Sequence, residues 1–512
     1  MAEVSHSGAG GERVVLLLSP ASRAFNHYRP PLALMCLAGF LKKEGVFARI
    51  VDIPFEKQVR DGDFESRRLD YQRDIEEKIL KQVKDSPADI IGFSCYSTEV
   101  FEVEALAGKI RKLKPHATLV VGGIHPTLQP EDMLGEGSCF DFAVVGEGEL
   151  TMVELVRAIR EGRTDYSSIN GVAWRNRVAG RVEINPPRHL ADDLDRITSP
   201  DFDGVDMRYY TTASPYAIRG VFSRSFYVSS SRGCPSSCSF CVSKTLRQHF
   251  GTAGFLRVRS PESLFEEVRL LRRRYGIDSF YFIDDLFTIK KKPVLEFCQL
   301  LARHEPAMIW GCSSRVNTVD EQMLSAMKRA GCVQIDFGVE KGSDRALATL
   351  QKGITVAQIK SAFSQCHRLG IRTFANFLIN TPGEKEEDLN DILRLAEEIR
   401  PHIVSMNIFM PYPGCEIFDG VASRIPREFY PLMTFGEKAI VEKPEVFCFS
   451  EHRVDLTEWT RAAMRKYNRF GANGRILMDP RYLRSLVRSG NRVDYARQTM
   501  DLTRELINQK FG

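Results

Sequence analysis

The chain has 512 residues, is 43% hydrophobic and carries a formal net charge of +5. This length predicts about two or three domains with substantial cores, and so small a charge gives no indication of nucleic-acid binding. The N-terminus lacks the features of a signal peptide, and no run approaches the roughly 18 apolar residues of a membrane span, so we expect a cytoplasmic protein. In that compartment 12 cysteines indicate metal or redox chemistry rather than disulfide bonds.

The N-terminal part alternates short apolar runs with stretches of helical spacing. We predict strands at Val14–Leu18, Ala48–Asp52, Ile90–Ser94, Thr118–Gly123 and Phe142–Gly146, with helices between most of them. This alternation is typical of a parallel sheet covered by helices on both faces. Residues 12–155 are therefore expected to form a doubly wound α/β domain.

Glycines and short polar side chains follow three of these predicted strands. Ligands of such sheets bind at the carboxyl ends of the strands, where glycine permits close approach and Ser or Thr offers a hydroxyl. The alternative is a domain of this fold that has lost its ligand and serves as a docking surface. The candidate binding residues are Ser94, Ser97, Thr98, Gly122, Gly123, His125, Pro126, Thr127, Gly146 and Glu147.

Residues 156–215 are expected to be a linker. Asn170–Arg175 and Arg181–Asn185 fit a small hairpin, and Pro186-Pro187 followed by the acidic stretch Asp192–Asp195 predicts extended chain.

The most specific pattern is C-x-x-x-C-x-x-C at Cys234, Cys238 and Cys241. A random chain of this composition would show the spacing on the order of 0.01 times. Three thiolates can hold three corners of a four-iron, four-sulfur cluster and leave one iron open. Zinc is the alternative, but structural zinc sites use four ligands, usually in two close pairs, and His249 stands alone beyond the triplet.

Apolar strands alternate with amphipathic helices after the cysteines. The predicted strands are Ser279–Ile283, Met308–Cys312, Val333–Gly338, Arg372–Ile379 and Ile403–Ile408, with helices such as Pro261–Tyr275 and Val319–Ala330 between them. Residues 216–425 are therefore expected to form a partial β/α barrel with its functional groups at the strand C-termini. Polar residues cluster there, at Asp284-Asp285, Ser313–Asn317, Glu340–Ser343 and Asn380–Glu384.

The cysteine triplet, together with a G-x-E-x-G-S turn at Gly338–Ser343, resembles the radical S-adenosylmethionine (SAM) superfamily. The G-G-x-H-P-T turn at Gly122–Thr127 and the G-E-G-E turn at Gly146–Glu149 are similar to those of the cobalamin-binding domain that precedes the barrel in one branch of that superfamily. The resemblance spans about residues 12 to 420.

The resemblance also implies roles for residues at the barrel mouth. SAM would chelate the open iron, with Glu340 and Ser343 near its methionyl and ribose groups and Arg315 paired with a carboxylate. Phe240 would shield the cluster or abut adenine. Asp284 is a further candidate SAM partner, with a helix N-terminal cap as the alternative.

Some positions depart from the patterns of related proteins. The D-x-H-x-x-G motif that offers a histidine to cobalt is absent, so His125 is expected to have a structural role or to contact the corrin edge. Asn380 and Thr381 depart from the common G-L-P-G-E turn, and Cys415 replaces a usual Thr. Cys312 and Cys415 lie at predicted strand ends, where each is either a site residue or a buried inert thiol.

The resemblance implies SAM cleavage to a 5′-deoxyadenosyl radical and methyl transfer through cobalamin to an unactivated carbon. The leading hypothesis is therefore a cobalamin-dependent radical SAM methyltransferase served by an external electron donor of flavodoxin or ferredoxin type. The alternatives are a cyclase, rearrangement or coupling enzyme, with or without cobalamin, acting on a lipid, tetrapyrrole or natural product. A noncatalytic sensor of cluster or cobalamin is a more distant alternative.

Residues 426–512 are expected to be helical and basic, and to close the open side of the barrel. Twelve Lys or Arg stand against four Asp or Glu from Arg461 to the end. Such a segment would suit an anionic membrane surface or an anionic or lipid substrate, and a solvated helical face is the plainer interpretation. Trp459, Tyr467, Phe470 and Tyr482 are spaced among its arginines.

Overall fold

The computed structural model describes residues 14–25, 28–55, 64–176, 179–251, 254–434, 436–468 and 479–483. It divides into two compact units. The first holds the described residues up to Ala191 together with Arg196–Asp206, and the second holds Asp192–Asp195 together with the described residues from Met207 onward. The boundaries predicted at residues 155, 215 and 425 stay a prediction.

The first unit is built on a seven-stranded sheet in the order β2-β1-β3-β4-β5-β6-β7. Its strands are β1 (Val15–Leu18), β2 (Ala48–Val51), β3 (Ile90–Ser94), β4 (Thr118–Gly122), β5 (Phe142–Val144), β6 (Val172–Asn176) and β7 (Arg181–Ile184). Its helices are α1 (Leu32–Lys43), α2 (Phe64–Asp85), α3 (Val100–Leu113), α4 (Ile124–Leu128), α5 (Pro130–Leu134) and α6 (Gly148–Arg160).

Strands β1 to β5 pair in parallel, which confirms the predicted doubly wound sheet. All four residues of β1 are buried, as expected for a strand covered by helices on both faces. The strand order reverses between β1 and β3, and ligands of such sheets bind at this point, beyond the carboxyl ends of the strands.

The hairpin predicted in the linker belongs to this sheet. Strand β6 pairs antiparallel with β5, in the register Ala143↔Ala173, and β7 pairs with β6. Tyr166 packs edge-on against Phe142 at 4.7 Å and against Trp174 at 5.4 Å between ring centroids. Pairing with the hairpin removes the exposed edge that β5 would otherwise present. Local sequence predicted the turn but not this long-range partner.

The second unit contains a seven-stranded sheet in the order β16-β15-β14-β13-β12-β9-β8. Short helix α7 (Leu194–Ile197) comes at the boundary in the chain. The strands that follow it are β8 (Ala213–Ser214), β9 (Ser223–Val228), β10 (Ser231–Arg232), β11 (Arg257–Val258), β12 (Ser279–Phe282), β13 (Ile309–Ser314), β14 (Cys332–Glu340), β15 (Arg372–Ile379) and β16 (Ile403–Ile408). Strands β9 and β12 to β16 run parallel, which confirms the predicted partial barrel.

The further helices of this unit precede, separate or follow these strands in the chain. They are α8 (Met207–Tyr210), α9 (Ser243–Phe250), α10 (Pro261–Tyr275), α11 (Lys291–His304), α12 (Glu321–Arg329), α13 (Asp344–Thr349), α14 (Val356–Leu369), α15 (Glu386–Ile399), α16 (Glu416–Val421), α17 (Gly436–Glu442), α18 (Pro444–Phe447) and α19 (Leu456–Tyr467). Short 3₁₀ turns occur at Ala21–Phe25, Ser97–Glu99, Phe202–Gly204, Phe287–Ile289, Val316–Thr318, Ala422–Arg424 and Arg427–Thr434. No helix in the described ranges is long and apolar enough to cross a bilayer.

Strand β9 was missed by the sequence analysis. Ser223 and Ser225 are buried within it, and the Ser223 hydroxyl lies 2.7 Å from that of Ser279 on β12. These serines interrupt the apolar run that would have predicted a strand.

The described part of the C-terminal region contacts the barrel, and two of these contacts are at the edge of β16 and in a buried cluster. The Asn468 side chain accepts a hydrogen bond from the Val404 amide at 2.7 Å and donates to its carbonyl at 3.0 Å, so it caps the edge of β16. Tyr482 joins a buried cluster that includes Tyr227, Tyr281 and Ile309. Phe470 lies outside the described residues, and closure of the open side stays a prediction.

Candidate functional site

The three motif cysteines lie on the loop between β10 and α9. All three thiols are free; Cys238 is buried and 6% exposed, and Cys234 and Cys241 are half-buried. The Cys241 amide donates to the Cys238 carbonyl at 3.2 Å, which folds the loop into a turn. Neighbouring Ser239 donates its amide to the Leu350 carbonyl at 3.1 Å.

Asp284 fixes the start of this cysteine loop. Its carboxylate accepts hydrogen bonds from the amide (2.8 Å) and hydroxyl (3.0 Å) of Ser230. It also accepts the amide and the hydroxyl (2.9 Å) of Ser231. Burial raises the pKa of Asp284 to about 6, although these hydrogen bonds favour the charged form. The geometry favours a positioning role for Asp284 over either role considered from the sequence.

Gly233, directly before the first cysteine, has a φ of +89° and lies against the backbone of Phe255. A Cβ here would overlap the Phe255 carbonyl oxygen, so the close approach and the backbone conformation both require glycine.

One cationic side chain contacts Cys238, and a second one lies over the Phe240 ring of the same loop. The Arg315 guanidinium donates to the Cys238 sulfur at 3.4 Å and to the Lys352 carbonyl. The Lys352 ammonium lies 5.6 Å from the centroid of the Phe240 ring and donates to a Glu340 carboxylate oxygen at 2.8 Å. The structure thus brings three predicted site residues, Phe240, Arg315 and Glu340, to the cysteine loop. Lys352 was missed because nothing in its local sequence marks it.

Glycine makes room for the ion pair between Glu340 and Lys352. A Cβ at Gly338 would lie 2.6 Å from the Glu340 carboxylate and 2.8 Å from the Lys352 ammonium. Glu340 itself has a φ of +69°, which is rare for a residue with a side chain. Such strained positions concentrate at ligand-binding sites.

A second buried ion pair supports the adjoining turns. Lys341 donates to Glu384, and their side chains are 2% and 0% exposed. The Val454 amide donates to His452 Nδ1 at 3.3 Å, so the ring proton is on Nε2, which lies 3.2 Å from Glu384.

Asn380, with a φ of +68°, adds to the support of this turn. Its side chain donates to the Phe447 carbonyl at 2.8 Å and accepts from the Phe449 amide at 3.0 Å. Its own amide donates to Glu384 at 2.8 Å. Asn380 and Glu384 therefore fasten the C-terminal region to the end of β15.

Ser343 lies at the start of α13, where its hydroxyl accepts the Ala346 amide at 3.4 Å as an N-cap. Its predicted contact with SAM stays a prediction. Burial raises the pKa of the Cys312 and Cys415 thiols, which are 0% exposed, and this favours the inert alternative for both.

The cysteine loop carries three free thiols, a donor set that fits an iron–sulfur cluster. Within the described residues, no three His, Cys, Asp or Glu side chains converge on one ion. Three thiols spread along one loop, with a cationic donor at one sulfur, fit the larger cluster. The polar turn at Glu340 is linked to that loop through Lys352, and its predicted contact with SAM stays a prediction.

The candidate site of the first unit lies at the carboxyl edge of its sheet. Gly123 has a φ of +109°, and a Cβ there would lie 2.7 Å from the Cys95 carbonyl oxygen. The Thr127 hydroxyl donates to the Gly123 carbonyl at 2.7 Å and accepts the Gly146 amide at 2.9 Å. These bonds join the turns after β4 and β5 into one glycine-lined edge.

His125 is fully buried beneath this edge. Its Nδ1 lies 3.0 Å from the Ser97 hydroxyl and its Nε2 lies 2.8 Å from an Asp132 carboxylate oxygen. With both ring nitrogens engaged and 0% exposure, His125 is better suited to holding the turn than to binding cobalt. Pro126 is buried beside it.

Arg23, Tyr96 and Glu99 form a charged and aromatic group near the ends of β1 and β3 that the sequence did not predict. Arg23 donates to both carboxylate oxygens of Glu99, at 2.9 and 2.7 Å, and lies 4.4 Å from the centroid of the Tyr96 ring. Tyr96 is 52% exposed at this edge. Arg23 and Glu99 are 76 residues apart in the chain, so sequence offered no signal for the pair.

A polar network inside the barrel was also missed. The Asp336 carboxylate accepts from the Tyr281 hydroxyl at 2.9 Å and from the Gln334 side-chain Nε2 at 2.7 Å, and Arg219 Nε lies 3.4 Å from it. Burial raises the pKa of Asp336 and lowers that of Arg372 to about 10. The only available signal was the alternation of polar residues along β14.

Comparison with known proteins agrees with this geometry. A family model for the B12 binding domain matches residues 22–156, and one for the Radical SAM superfamily matches residues 228–396. An uncharacterized methyltransferase of Pyrococcus horikoshii is 30% identical over 412 residues, which is 80% of this chain and 82% of the relative. The anaerobic magnesium-protoporphyrin IX monomethyl ester cyclase of Rubrivivax gelatinosus is 26% identical over 488 residues, 93% of this chain and 81% of that protein.

A solved structure shares the fold. The radical SAM methyltransferase TsrM from Kitasatospora setae, with cobalamin and a [4Fe-4S] cluster bound, aligns with a TM-score of 0.62 at 21% identity. The alignment covers 81% of this chain and 78% of that one. The extent of these matches, over both sheets and the cysteine loop, shows that the chain belongs to the cobalamin-binding branch of the radical SAM superfamily, with a [4Fe-4S] cluster, SAM and cobalamin as its cofactors.

Proposed function

We propose that this enzyme is a cobalamin-dependent methyltransferase that acts on an unactivated carbon. The observation that carries the proposal is His125, which is buried and bonded at both ring nitrogens at the edge where cobalamin would bind. A corrin without a ligand from this histidine suits methyl transfer to a carbon radical. The similarity to the Pyrococcus methyltransferase supports the same reaction class.

The proposed roles follow from the contacts of each residue. When bound, the cluster and SAM supply a 5′-deoxyadenosyl radical, and cobalamin supplies the methyl carrier. Cys234, Cys238 and Cys241 would hold the cluster. Glu340, oriented by Lys352, would bind the SAM methionyl group, with Ser343 near the ribose.

The cobalamin-binding residues proposed for the first unit share the glycine-lined edge or the turn beside it. They would exclude water from the corrin and fix its orientation rather than react with it. They are Ser94, Ser97, Thr98, Gly122, Gly123, Thr127, Gly146 and Glu147.

Oxidative cyclisation is the second candidate. The Rubrivivax cyclase matches 93% of this chain, a greater extent than the Pyrococcus methyltransferase at 80%. Both reactions begin with hydrogen abstraction, so the cysteine loop and the Glu340 turn serve either one.

Product stoichiometry separates these reactions. The holoenzyme, reconstituted anaerobically with cobalamin, would be incubated with SAM, dithionite and fractionated metabolite extract. A methyltransferase forms 5′-deoxyadenosine and S-adenosylhomocysteine in equal amounts, with label from trideuteromethyl-SAM in a product. A cyclase forms 5′-deoxyadenosine without S-adenosylhomocysteine. If protein with an intact, reduced cluster forms neither 5′-deoxyadenosine nor S-adenosylhomocysteine, both candidate reactions are excluded.

A matched pair of cysteine variants tests the cluster assignment. Cys238→Ala is expected to bind less iron and to form no 5′-deoxyadenosine, because one corner of the cluster is lost. Cys448→Ala removes an exposed thiol outside the loop and is expected to behave as wild type. Equal iron content in the two variants would contradict the proposed ligands.

Enzymes of this superfamily need an electron donor and a small-molecule substrate. We propose a donor of flavodoxin or ferredoxin type, a cytoplasmic location, and a substrate that is a small molecule or a lipid. Peripheral membrane contact through the basic C-terminal region is part of this proposal, although residues 469–478 and 484–512 lie outside the described ranges.

A further inference from the structure

The motif cysteines have unequal surroundings, and the difference involves one cation. Cys238 is the most buried of the three and receives an N–H···S hydrogen bond from Arg315 Nη1 at 3.4 Å. Cys241 instead lies 3.4 Å from the neutral Ser243 hydroxyl. A charged donor adds the attraction of opposite charges to the hydrogen bond with a thiolate, which a neutral hydroxyl does not supply.

Arg315 is held in this position by other contacts. Its Nη2 donates to the Lys352 carbonyl, and its Nε lies 3.4 Å from Asn317 Oδ1. Asn317 in turn donates to the Gly353 carbonyl at 3.3 Å. The guanidinium is therefore fixed between the end of β13 and the turn at 352–353, with one nitrogen toward the sulfur.

We propose that Arg315 donates a hydrogen bond to the cluster-bound Cys238 thiolate and thereby raises the reduction potential of the cluster. One-electron reduction adds negative charge to an assembly that three thiolates already make anionic. A cation at a ligand sulfur stabilises the reduced form more than the oxidised form, and hydrogen bonds to sulfur are a known determinant of cluster potential. The electron comes from dithionite or a reduced donor protein, and no bond forms or breaks.

This role is distinct from the SAM carboxylate contact predicted from the sequence. The sulfur contact involves only Arg315 and Cys238 and no atom of SAM, so its effect is measurable on SAM-free protein. It depends on the cluster and not on methyl transfer, so failure of either proposal leaves the other testable.

The test is a potentiometric titration of the reconstituted, SAM-free chain, followed by electron paramagnetic resonance of the reduced cluster. At a fixed potential, Arg315→Gln is expected to lower the ratio of reduced to oxidised cluster by about tenfold, which is about 59 mV for a one-electron couple. Arg315→Lys keeps the charge but not the forked donor, and an intermediate ratio is expected.

Arg247→Gln is the matched control. Arg247 also donates to the cysteine loop, to the Pro235 carbonyl and to the Ser237 hydroxyl at 2.7 Å, but not to a cysteine sulfur. Its reduced-to-oxidised ratio is expected to stay within about twofold of wild type, because the charge-assisted bond to sulfur is intact.

An unchanged ratio in Arg315→Gln at full cluster content would overturn the proposal. If that variant also loses SAM affinity, Arg315 serves only the SAM carboxylate. If Arg315→Gln fails to assemble a cluster, Arg315→Lys decides: a ratio equal to wild type contradicts the proposal, and a lowered ratio supports it. An equal loss in Arg247→Gln would show that loop distortion, and not the sulfur contact, sets the potential.

Discussion

Asp284→Asn removes the charge that holds the start of the cysteine loop and keeps the shape of the side chain. The Asp284 carboxylate is 4% exposed and accepts the amides and hydroxyls of Ser230 and Ser231. Asparagine retains an oxygen that can accept the amides, and the serine hydroxyls can rotate to accept from its NH₂ group. The variant should therefore fold, with a different dependence of stability on pH.

The size of this change in stability with pH follows from the pKa of Asp284. Burial raises the pKa of Asp284 from 3.8 to about 6. Between these values the folded state binds more protons than the unfolded state, so stability falls as pH rises. The contribution is fully present below pH 3.8 and is lost as pH passes through about 6. A shift of this size corresponds to about 3 kcal/mol in total, of which about 2.4 kcal/mol falls between about pH 4 and 7.5.

Urea unfolding of the cofactor-free chain, followed by tryptophan fluorescence between about pH 4 and 7.5, measures this effect. The unfolding free energy of Asp284→Asn minus that of wild type should become more positive by about 2–3 kcal/mol over the range, because only wild type loses this contribution. Glu296→Gln, at a carboxylate on α11 that is 43% exposed, should run parallel to wild type. A difference between Asp284→Asn and wild type that is constant with pH would refute the reasoning.

Gly342→Ala, with Gly420→Ala as its control, tests a close backbone approach, and Thr127→Val tests a hydroxyl bridge. Gly342→Ala places a Cβ in the backbone of α15, so the melting temperature should fall and the free energy of unfolding should decrease by about 3 kcal/mol or more. Gly420→Ala in α16 is the control, because its Cβ meets no atom within 4 Å and the substitution should be neutral or slightly stabilising. Equal melting temperatures for the two would contradict the overlap. Thr127→Val leaves the Gly123 carbonyl and the Gly146 amide without their bonds to the hydroxyl, so stability should fall by about 2 kcal/mol and cobalamin retained after gel filtration should decrease. Full retention would show that the bridge does not shape the binding edge.

Sequence predicted those elements whose signals are local. Helix α10 begins and ends as predicted because Ser260 caps its first turn and Gly276 adopts the left-handed conformation after its last residue. Strands β15 and β16 also match, since each is a largely apolar run. Strand β9 lacked such a run because of its buried serines, and the pairing of β6 with β5 depended on a partner about 30 residues away.

The candidate site likewise combines residues that local sequence predicts with residues that it does not. The cysteine triplet and Glu340 were predicted because their motifs are contiguous. The contacts that hold them are not contiguous: Asp284 lies 54 residues from Ser230, and Arg315 lies 77 residues from Cys238. A motif identifies a ligand, but the residues that orient it are set by the sheet, which brings the ends of distant strands together.

The buried ion pairs at the barrel mouth are better explained by positioning than by stability. Glu340 with Lys352 and Lys341 with Glu384 are almost fully buried, and the cost of removing such charges from water offsets most of their attraction. Glu340 and Asn380 also have positive φ angles, which persist only where surrounding contacts over-determine the backbone. Each ion pair contacts one of these strained turns, because Lys352 binds Glu340 itself and Glu384 accepts the Asn380 amide. Their net effect is thus to hold two polar turns in conformations that apolar packing alone would release, at the strand ends where SAM is proposed to bind.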